Sequence, residues 1–515
     1  MERREFIRDA ASFSALMALA GCASAKHKLS AGGPMYNFAL PPMKEVRFGF
    51  IGLNRGGAGV RPFSLFPGTR VTALCDITPD RIEKRQKEIE KCGRPRAKEY
   101  TGSEDAWKRM ADDPDVDFVI VGTPWELHTP MALYLMEHGK HVGVEVPAAV
   151  SVEECWQLVE ASERTRCICM QLENRCYNEL EMMMFNAIRQ GELGEVVYAE
   201  CGYIHEIRNI LMPEQFPDGT YSPWQGSDQR LPVKGRLVDG LSWRGQYDQK
   251  HCGNMYPTHG VGPISQILGI NRGDAYDYIT CAETGSFALR EYAEEKFGKN
   301  SREAKAADLR MGDHHVGLIR TKRGKLIALS HNVVTPVSGS RLKLVEGTKG
   351  AFMRQPSLVD MELSPDGTCY LTDEGFRHSL LSTPIHKAAL WCSKKCADDY
   401  AQVHAHPLWR TAGDLAKKLG GHGGMDFMMF VRMAYCLNMG VPLDQDVYDL
   451  ASWSSIVELS EKSVLARGRS MDFPDFTRGE WKNRIPLTVG GIDCDYLAAI
   501  RKSSERLDMS PEKFD

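Results

Sequence analysis

The chain has 515 residues, 43% of them hydrophobic, with a formal net charge of -4 and a pI of about 6.5. That length allows two or three domains with a large core, and that charge gives no global field to draw nucleic acid or an anionic membrane. No long apolar run follows the first two dozen residues, and the 15 cysteines are scattered, so no later transmembrane helix is expected, and the close pairs Cys167/Cys169 and Cys392/Cys396 lack the further ligands of a zinc site.

The first elements read as an address. Arg3-Arg4-Glu5-Phe6-Ile7 precedes a weakly apolar stretch over 10–20, which ends Leu19-Ala20-Gly21-Cys22. A basic start, a short apolar run and a small-residue cleavage site make a signal peptide rather than a spanning helix. The expectation is a signal over 1–21, export by the twin-arginine route to the periplasm or cell envelope, and a lipid anchor at Cys22 as the only membrane attachment. Residues 22–44, rich in Ala, Gly, Lys and Pro, read as a flexible tether.

Next comes a strand over 46–53 that runs into Gly52-Leu53-Asn54-Arg55-Gly56-Gly57-Ala58-Gly59 and a helix. Strand, glycine turn and helix suit a pyrophosphate, because bare backbone N–H groups and a positive helix end face it. Asn54 stands where the second glycine of G-x-G-x-x-G is expected. A second strand over 70–77 carries Asp76, at the distance where a carboxylate reaches a ribose 2′-OH and favours NAD; the alternative is a cap for the helix beginning near Pro79. A helix over 103–111, strands over 116–123, 140–146 and 168–172, and a helix over 152–164 continue the alternation. Such βα repeats predict a Rossmann dinucleotide-binding domain over 45–175, with ligands at the carboxyl ends of parallel strands. Trp125, His128, Glu145 and Asn174 fall at those ends.

Beyond about residue 191 the pattern changes. Strands over 196–203, 317–321, 325–331 and 341–345, with a hairpin turn at Arg320-Thr321-Lys322-Arg323-Gly324-Lys325, predict a mostly antiparallel sheet in an α+β domain over 176–515. His314 and His315 point to opposite faces of a strand, and no HExxH cluster occurs, so the site is read as metal-free. His422 opens a glycine-rich turn before an apolar helix; it either reaches the site or only starts the helix. The most concentrated chemistry is Gly253-Asn254-Met255-Tyr256-Pro257-Thr258-His259-Gly260-Val261-Gly262-Pro263. Its glycines and prolines argue against a regular helix and for a stiff turn that holds a phenol beside an imidazole, a pairing suited to proton transfer.

The Rossmann half followed by an antiparallel half resembles the Gfo/Idh/MocA oxidoreductases. Tyr256-Pro257-Thr258-His259-Gly260, Gly202-Tyr203-Ile204-His205, Glu145-Val146-Pro147-Ala148, His422-Gly423-Gly424-Met425-Asp426 and Pro442-Leu443-Asp444-Gln445-Asp446-Val447-Tyr448-Asp449 more narrowly resemble family 109 glycoside hydrolases, which are NAD-dependent α-N-acetylgalactosaminidases. Plain dehydrogenases of the superfamily carry Glu-Lys-Pro where this chain has Glu145-Val146-Pro147, and a valine cannot pass a proton. The resemblance implies NAD contacts at Arg55, Gly56, Asp76, Trp125, Glu126, Leu127, His128, Glu145, Val146, Asn174 and Tyr256. It implies sugar contacts at Tyr203, Arg244, Tyr256, Pro257, Thr258 and His259, with His259 or Tyr256 moving the proton. The family's Pro-Tyr-Ser-Arg run is here Val337-Ser338-Gly339-Ser340-Arg341, so Gly339 replaces a substrate-touching tyrosine.

The implied activity is hydrolysis of a glycan or glycoconjugate with a terminal N-acetylhexosamine. C3 is oxidised by NAD, the C1 substituent leaves by elimination across C1–C2, water adds, and C3 is reduced again. Most glycosidases instead flank the bond with two carboxylates. The alternative is an NAD-dependent sugar dehydrogenase, and a third reading is a sugar- or cofactor-binding lipoprotein. Partnership with nucleic acid is not expected, and a homo-oligomer is left open.

Overall fold

A computed structural model describes residues 27–216, 220–221, 231–232, 237–337, 339–356, 374–380 and 394–507. The expected signal over 1–21 and anchor Cys22, together with Ser338 and Cys392, lie outside the described residues.

Six parallel strands form the first sheet: β1 Val46–Ile51, β2 Thr69–Cys75, β3 Lys98–Tyr100, β4 Phe118–Val121, β5 His141–Val144 and β6 Cys169–Gln171, in the order β3-β2-β1-β4-β5-β6. The runs VRFGFI and FVIV are almost wholly buried, as strands covered on both faces must be. The edge strand β3, Lys-Glu-Tyr with only the Tyr buried, has no apolar run and gives no sequence signal. The helix expected over 103–111 shrinks to Lys108–Ala111. Before it the chain makes i→i+3 turns, Ala106 to Ser103 at 3.2 Å and Lys108 to Asp105 at 3.0 Å, which are tighter than an α-helix.

The second sheet has eight strands, in the order Glu374–Leu380, Gly350–Pro356, Ser340–Gly347, Val196–Ile204, Leu326–Asn332, His315–Thr321, Tyr276–Glu283 and Met471–Asp472. All neighbours are antiparallel except Val196–Ile204 with Leu326–Asn332. The expected hairpin closes through Thr321 N–H to Lys325 O at 2.9 Å. His315–Thr321 alternates buried and exposed, the signature of a half-covered sheet.

Two expectations are corrected. Residues 27–44 are no free tether: His27 stacks on Trp156 at 4.1 Å, Arg166 donates to the Gly33 and Pro34 carbonyls at 2.9 Å, and Met35 is buried. The small and polar residues of this stretch hide two apolar ones, Met35 and the half-buried Phe38, that find the core. The stretch at Tyr256 is no irregular turn, because Thr258–Leu268 is a helix with Pro263 inside it. Its glycines serve approach rather than turning. A Cβ on Gly260 would lie 2.6 Å from Gly202 N, and one on Gly262 would lie 2.7 Å from Glu173 Cγ. The helix therefore lies directly on the strand Val196–Ile204, and that packing outweighs its weak helix propensity.

The two halves share one core. Phe430 and Phe427, on the late helix Met425–Met439, meet Phe63 and Phe66 of the first βα unit edge-on at 5.2 Å each. The helix Val447–Ser454, started by an Asp446/Asp449 capping box, packs on Val152–Thr165.

Candidate functional site

β1 ends in a turn that only glycine can make. Gly52 has φ of +82°, and a Cβ on it would fall 2.5 Å from Gly122 O. Gly56 faces Gly122 the same way, its Cβ position 2.9 Å from Gly122 Cα. Asp76 accepts the Leu53 N–H and the Thr78 N–H, both at 2.8 Å, and Arg85 donates to the carbonyls of Leu53 (3.1 Å) and Asn54 (2.9 Å). The turn is thus braced from both sides despite Asn54, and Asp76 both holds the loop and meets the first turn of the following helix.

From this loop a cavity of about 680 Å³ runs along the carboxyl ends of the strands to Trp125, Glu145, Arg244 and Tyr256, within the usual range for a ligand site. Arg55, Asp76, Trp125, Leu127, His128, Glu145, Val146, Arg244 and Tyr256 stand on its wall. Gly56 is behind the wall, packed on Gly122, and Glu126 is exposed. His128 is buried with Nδ1 2.8 Å from Pro147 O and Nε2 2.7 Å from Thr123 O. Burial pushes its pKa down to about 4, so it clamps the loop rather than titrating near neutrality. The cradle of glycines, the acidic end at Asp76 and a cavity of this size fit a dinucleotide.

Asp426, which carried no expected role, is the hub at the rim. It accepts from Asn174 Nδ2 at 2.6 Å, lies 2.8 Å from His422 Nδ1, and pairs with Arg55 at 3.4 Å. Burial opposes its ionisation, but Arg55 and these hydrogen bonds hold the carboxyl well below the usual range. His422 therefore does reach the rim, with its backbone at φ +51° ahead of two left-handed glycines.

At the other end the Arg244 guanidinium sits over Trp125 and Trp243, 4.6 Å from each ring centre, and 5.3 Å from Tyr256. Beyond the Tyr256 ring lie Tyr203, at 4.5 Å, and His259, at 4.9 Å. Burial raises the Tyr256 phenol, which stays protonated. Pro257 and Thr258 are buried at the helix start and position these rings rather than lining the cavity.

His259 Nδ1 lies 2.8 and 3.0 Å from the two oxygens of Glu173, which is wholly buried at the N-cap of a short turn after β6. Burial holds the imidazole below its ordinary pKa against the pull of Glu173. A neutral His259 that donates Nδ1–H to Glu173 keeps an Nε2 lone pair for a proton. His205 and His331, pushed by burial to about 3, are neutral neighbours. Sequence reasoning brought Tyr203, Arg244, Tyr256 and His259 together and missed Glu173, Asp426 and Arg341, whose contacts are made across more than eighty residues of chain. Among the described residues no group of three or more His, Cys, Asp or Glu is placed to hold a metal ion.

Comparison with known proteins agrees with this layout. The model for the oxidoreductase family NAD-binding Rossmann fold matches residues 46–172, and that for the glycosyl hydrolase 109 C-terminal domain matches 177–483. A glycosyl hydrolase family 109 protein of Shewanella pealeana is 38% identical over 499 residues, 95% of this chain and 99% of the relative. An alpha-N-acetylgalactosaminidase of Shewanella oneidensis is 38% identical over 498 residues, with the same coverage. Among solved structures, levoglucosan dehydrogenase in complex with NADH and levoglucosan superposes with a TM-score of 0.56 at 13% identity, over 84% of this chain and 100% of that one. Aldose-aldose oxidoreductase from Caulobacter crescentus gives 0.52 at 16%, over 83% and 100%. At these identities the structural likeness is one of fold.

Proposed function

Because the chain belongs to the glycosyl hydrolase 109 family and is a glycosidase that binds NAD, we propose that it removes terminal α-linked N-acetylgalactosamine from a glycan or glycoconjugate. The observation that carries this reading is the His259–Glu173 pair, packed with the Tyr203 ring behind Tyr256, which lines the end of the dinucleotide cavity.

Arg55, Asp76, Trp125 and Glu145 line the part of the cavity that would hold NAD. When bound, NAD supplies reversible hydride exchange at C3 of the sugar. A carbonyl at C3 acidifies the C2–H, so a base of modest strength suffices. His259 is that base: Glu173 fixes the tautomer through Nδ1–H, and Nε2 takes the proton from C2. The C1 substituent then leaves by elimination, and water adds at C1. Tyr256, kept protonated by burial, donates a hydrogen bond to a sugar oxygen. Tyr203 and Arg244 orient the ring. Val146, between Glu145 and Pro147, cannot pass a proton, which favours proton transfer to the imidazole.

The test is turnover of an aryl α-N-acetylgalactosaminide in deuterated water. Cleavage without net build-up of reduced nicotinamide, with deuterium at C2 of the product, is the expected result. Net reduction with free sugar and no cleavage would replace this reading with a dehydrogenase. The proposal extends to location: export by the twin-arginine route and a lipid anchor at Cys22 to the cell envelope, supported by the motif Leu19-Ala20-Gly21-Cys22. Membrane fractionation of Cys22→Ala checks it, since the variant should move to the soluble fraction.

A further inference from the structure

Four side chains stand in a row at the sugar end. The Arg244 guanidinium is 5.3 Å from the Tyr256 ring, that ring is 4.5 Å from Tyr203, and Tyr203 is 4.2 Å from the Arg341 guanidinium. Arg341 Nη1 donates to the carbonyls of Ile204 (2.7 Å) and Ser340 (3.0 Å). Its Nε and Nη2 have no hydrogen-bond partner, and it has no ion pair, among the described residues.

Arg175 and Arg354 share the carboxylate of Glu181, the latter at 2.7 Å, and both guanidinium groups stand close enough to Arg341 for mutual repulsion. Among the described residues Glu181 pairs with Arg175 and Arg354 and makes no ion pair with Arg341. Glu173 pairs with His259, and Glu206 with Arg208 at 2.8 Å.

Gly339 puts no side chain beside this half-buried cation. Among the described residues a Cβ there would meet one atom within 4 Å, Ile204 O at 3.4 Å, the carbonyl that Arg341 holds, so a larger side chain would have room at this position.

We infer that Arg341, whose Nε and Nη2 are unpartnered among the described residues, forms an anion subsite beside Tyr203, and that the natural substrate carries a sulfate ester or a carboxylate on its terminal N-acetylhexosamine or on the adjoining sugar. This rests on the reading of Tyr203, Tyr256 and His259 as the sugar end of the site. A guanidinium fork matches the paired oxygens of either group, and half-burial strengthens the attraction over that in water.

The experiment uses the NAD-loaded enzyme. Tryptophan fluorescence is titrated with N-acetylgalactosamine, its 6-sulfate, and a disaccharide in which N-acetylgalactosamine adjoins a uronate; aryl glycosides with and without the 6-sulfate are assayed in parallel. The wild type should bind an anionic sugar roughly tenfold or more tightly than the neutral one, with an advantage that shrinks as salt rises to about 1 M. The two anionic arms distinguish sulfate from carboxylate. Arg341→Gln should bring the ratio close to one. Gly339→Tyr, which keeps the arginine but fills the space, should do the same and stands in if the first variant does not fold. Equal affinity for neutral and anionic sugars in the wild type, or a ratio that survives both substitutions, overturns the subsite. Cleavage of the neutral glycoside with no anionic advantage defeats this inference alone; an anionic binding advantage with no glycoside cleaved defeats the hydrolase reading alone.

Discussion

Glu173 decides what His259 can do. The carboxylate is fully buried and touches both the imidazole and the backbone N–H of Arg175 (3.0 Å), so its loss leaves a buried N–H without its partner. His259→Ala should lower kcat by about 10²- to 10⁴-fold, the contribution of a positioned proton-transfer group. Burial already places His259 below its ordinary value, so the base form should persist below about pH 6.5 and kcat/KM should fall only at lower pH. In Glu173→Gln the negative charge that raises His259 is removed. The acid limb of the pH–rate profile should therefore move lower still while kcat drops, an opposite-sign pair that a merely structural role would not produce. Asp248 offers a stability test. It is buried, its Oδ1 has no partner, and desolvation pushes its carboxyl up to about 7. The folded state holds this proton more tightly than the unfolded chain, so stability is fullest below the ordinary carboxylate range. It is lost as pH rises from about 4 to about 7, at up to about 1.4 kcal/mol per pH unit. Asp248→Asn should thus raise the unfolding midpoint relative to wild type at pH 8, with a smaller gain at pH 5.

The helix Thr258–Leu268 carries His259, the proposed proton-transfer group, and its contact with the strand Val196–Ile204 sets where that side chain stands. Two glycines make the contact, Gly260 and Gly202, backbone against backbone. Gly260→Ala forces a methyl to 2.6 Å from Gly202 N, and neither backbone can yield. The expected cost is about 1–3 kcal/mol in chemical denaturation, with a fall in kcat because His259 and Tyr203 move apart. A helix that tolerates alanine there would show that the packing is looser than described. Pro263 removes one hydrogen-bond donor from the same helix, yet the helix persists, because its buried face is held by the sheet and by Glu173.

On the scale of the whole molecule, the C-terminal half reaches back to close the nucleotide end. Asp426 at the start of Met425–Met439 ties Arg55 of the glycine loop to Asn174 after β6. Phe427 and Phe430 of the same helix are packed into the Rossmann core. Removing the Asp426 carboxylate releases both Arg55 and Asn174 at the rim of the nucleotide end. Asp426→Ala should accordingly lose NAD on gel filtration, where the wild type keeps it, and regain turnover when NAD is added in excess. Tight retention would suit the proposed cycle, in which the cofactor ends as it began.

Local pattern determined a good deal here. Continuous apolar runs and the glycine turn made the parallel sheet legible, alternation made much of the antiparallel sheet legible, Tyr256 and His259 stood out by their chemistry, and Tyr203 and Arg244 were picked out by the family resemblance alone. Short polar β3 was not, because three residues without an apolar run carry no periodic signal. The helix at Thr258 was misread because glycine and proline report backbone propensity, whereas here glycine answers to a neighbouring strand. Only the tertiary structure paired His259 with Glu173, made Asp426 a hub and set Arg341 beside Tyr203. Partners this far apart in the chain have no fixed spacing, and the fold alone brings such charges within reach of one another.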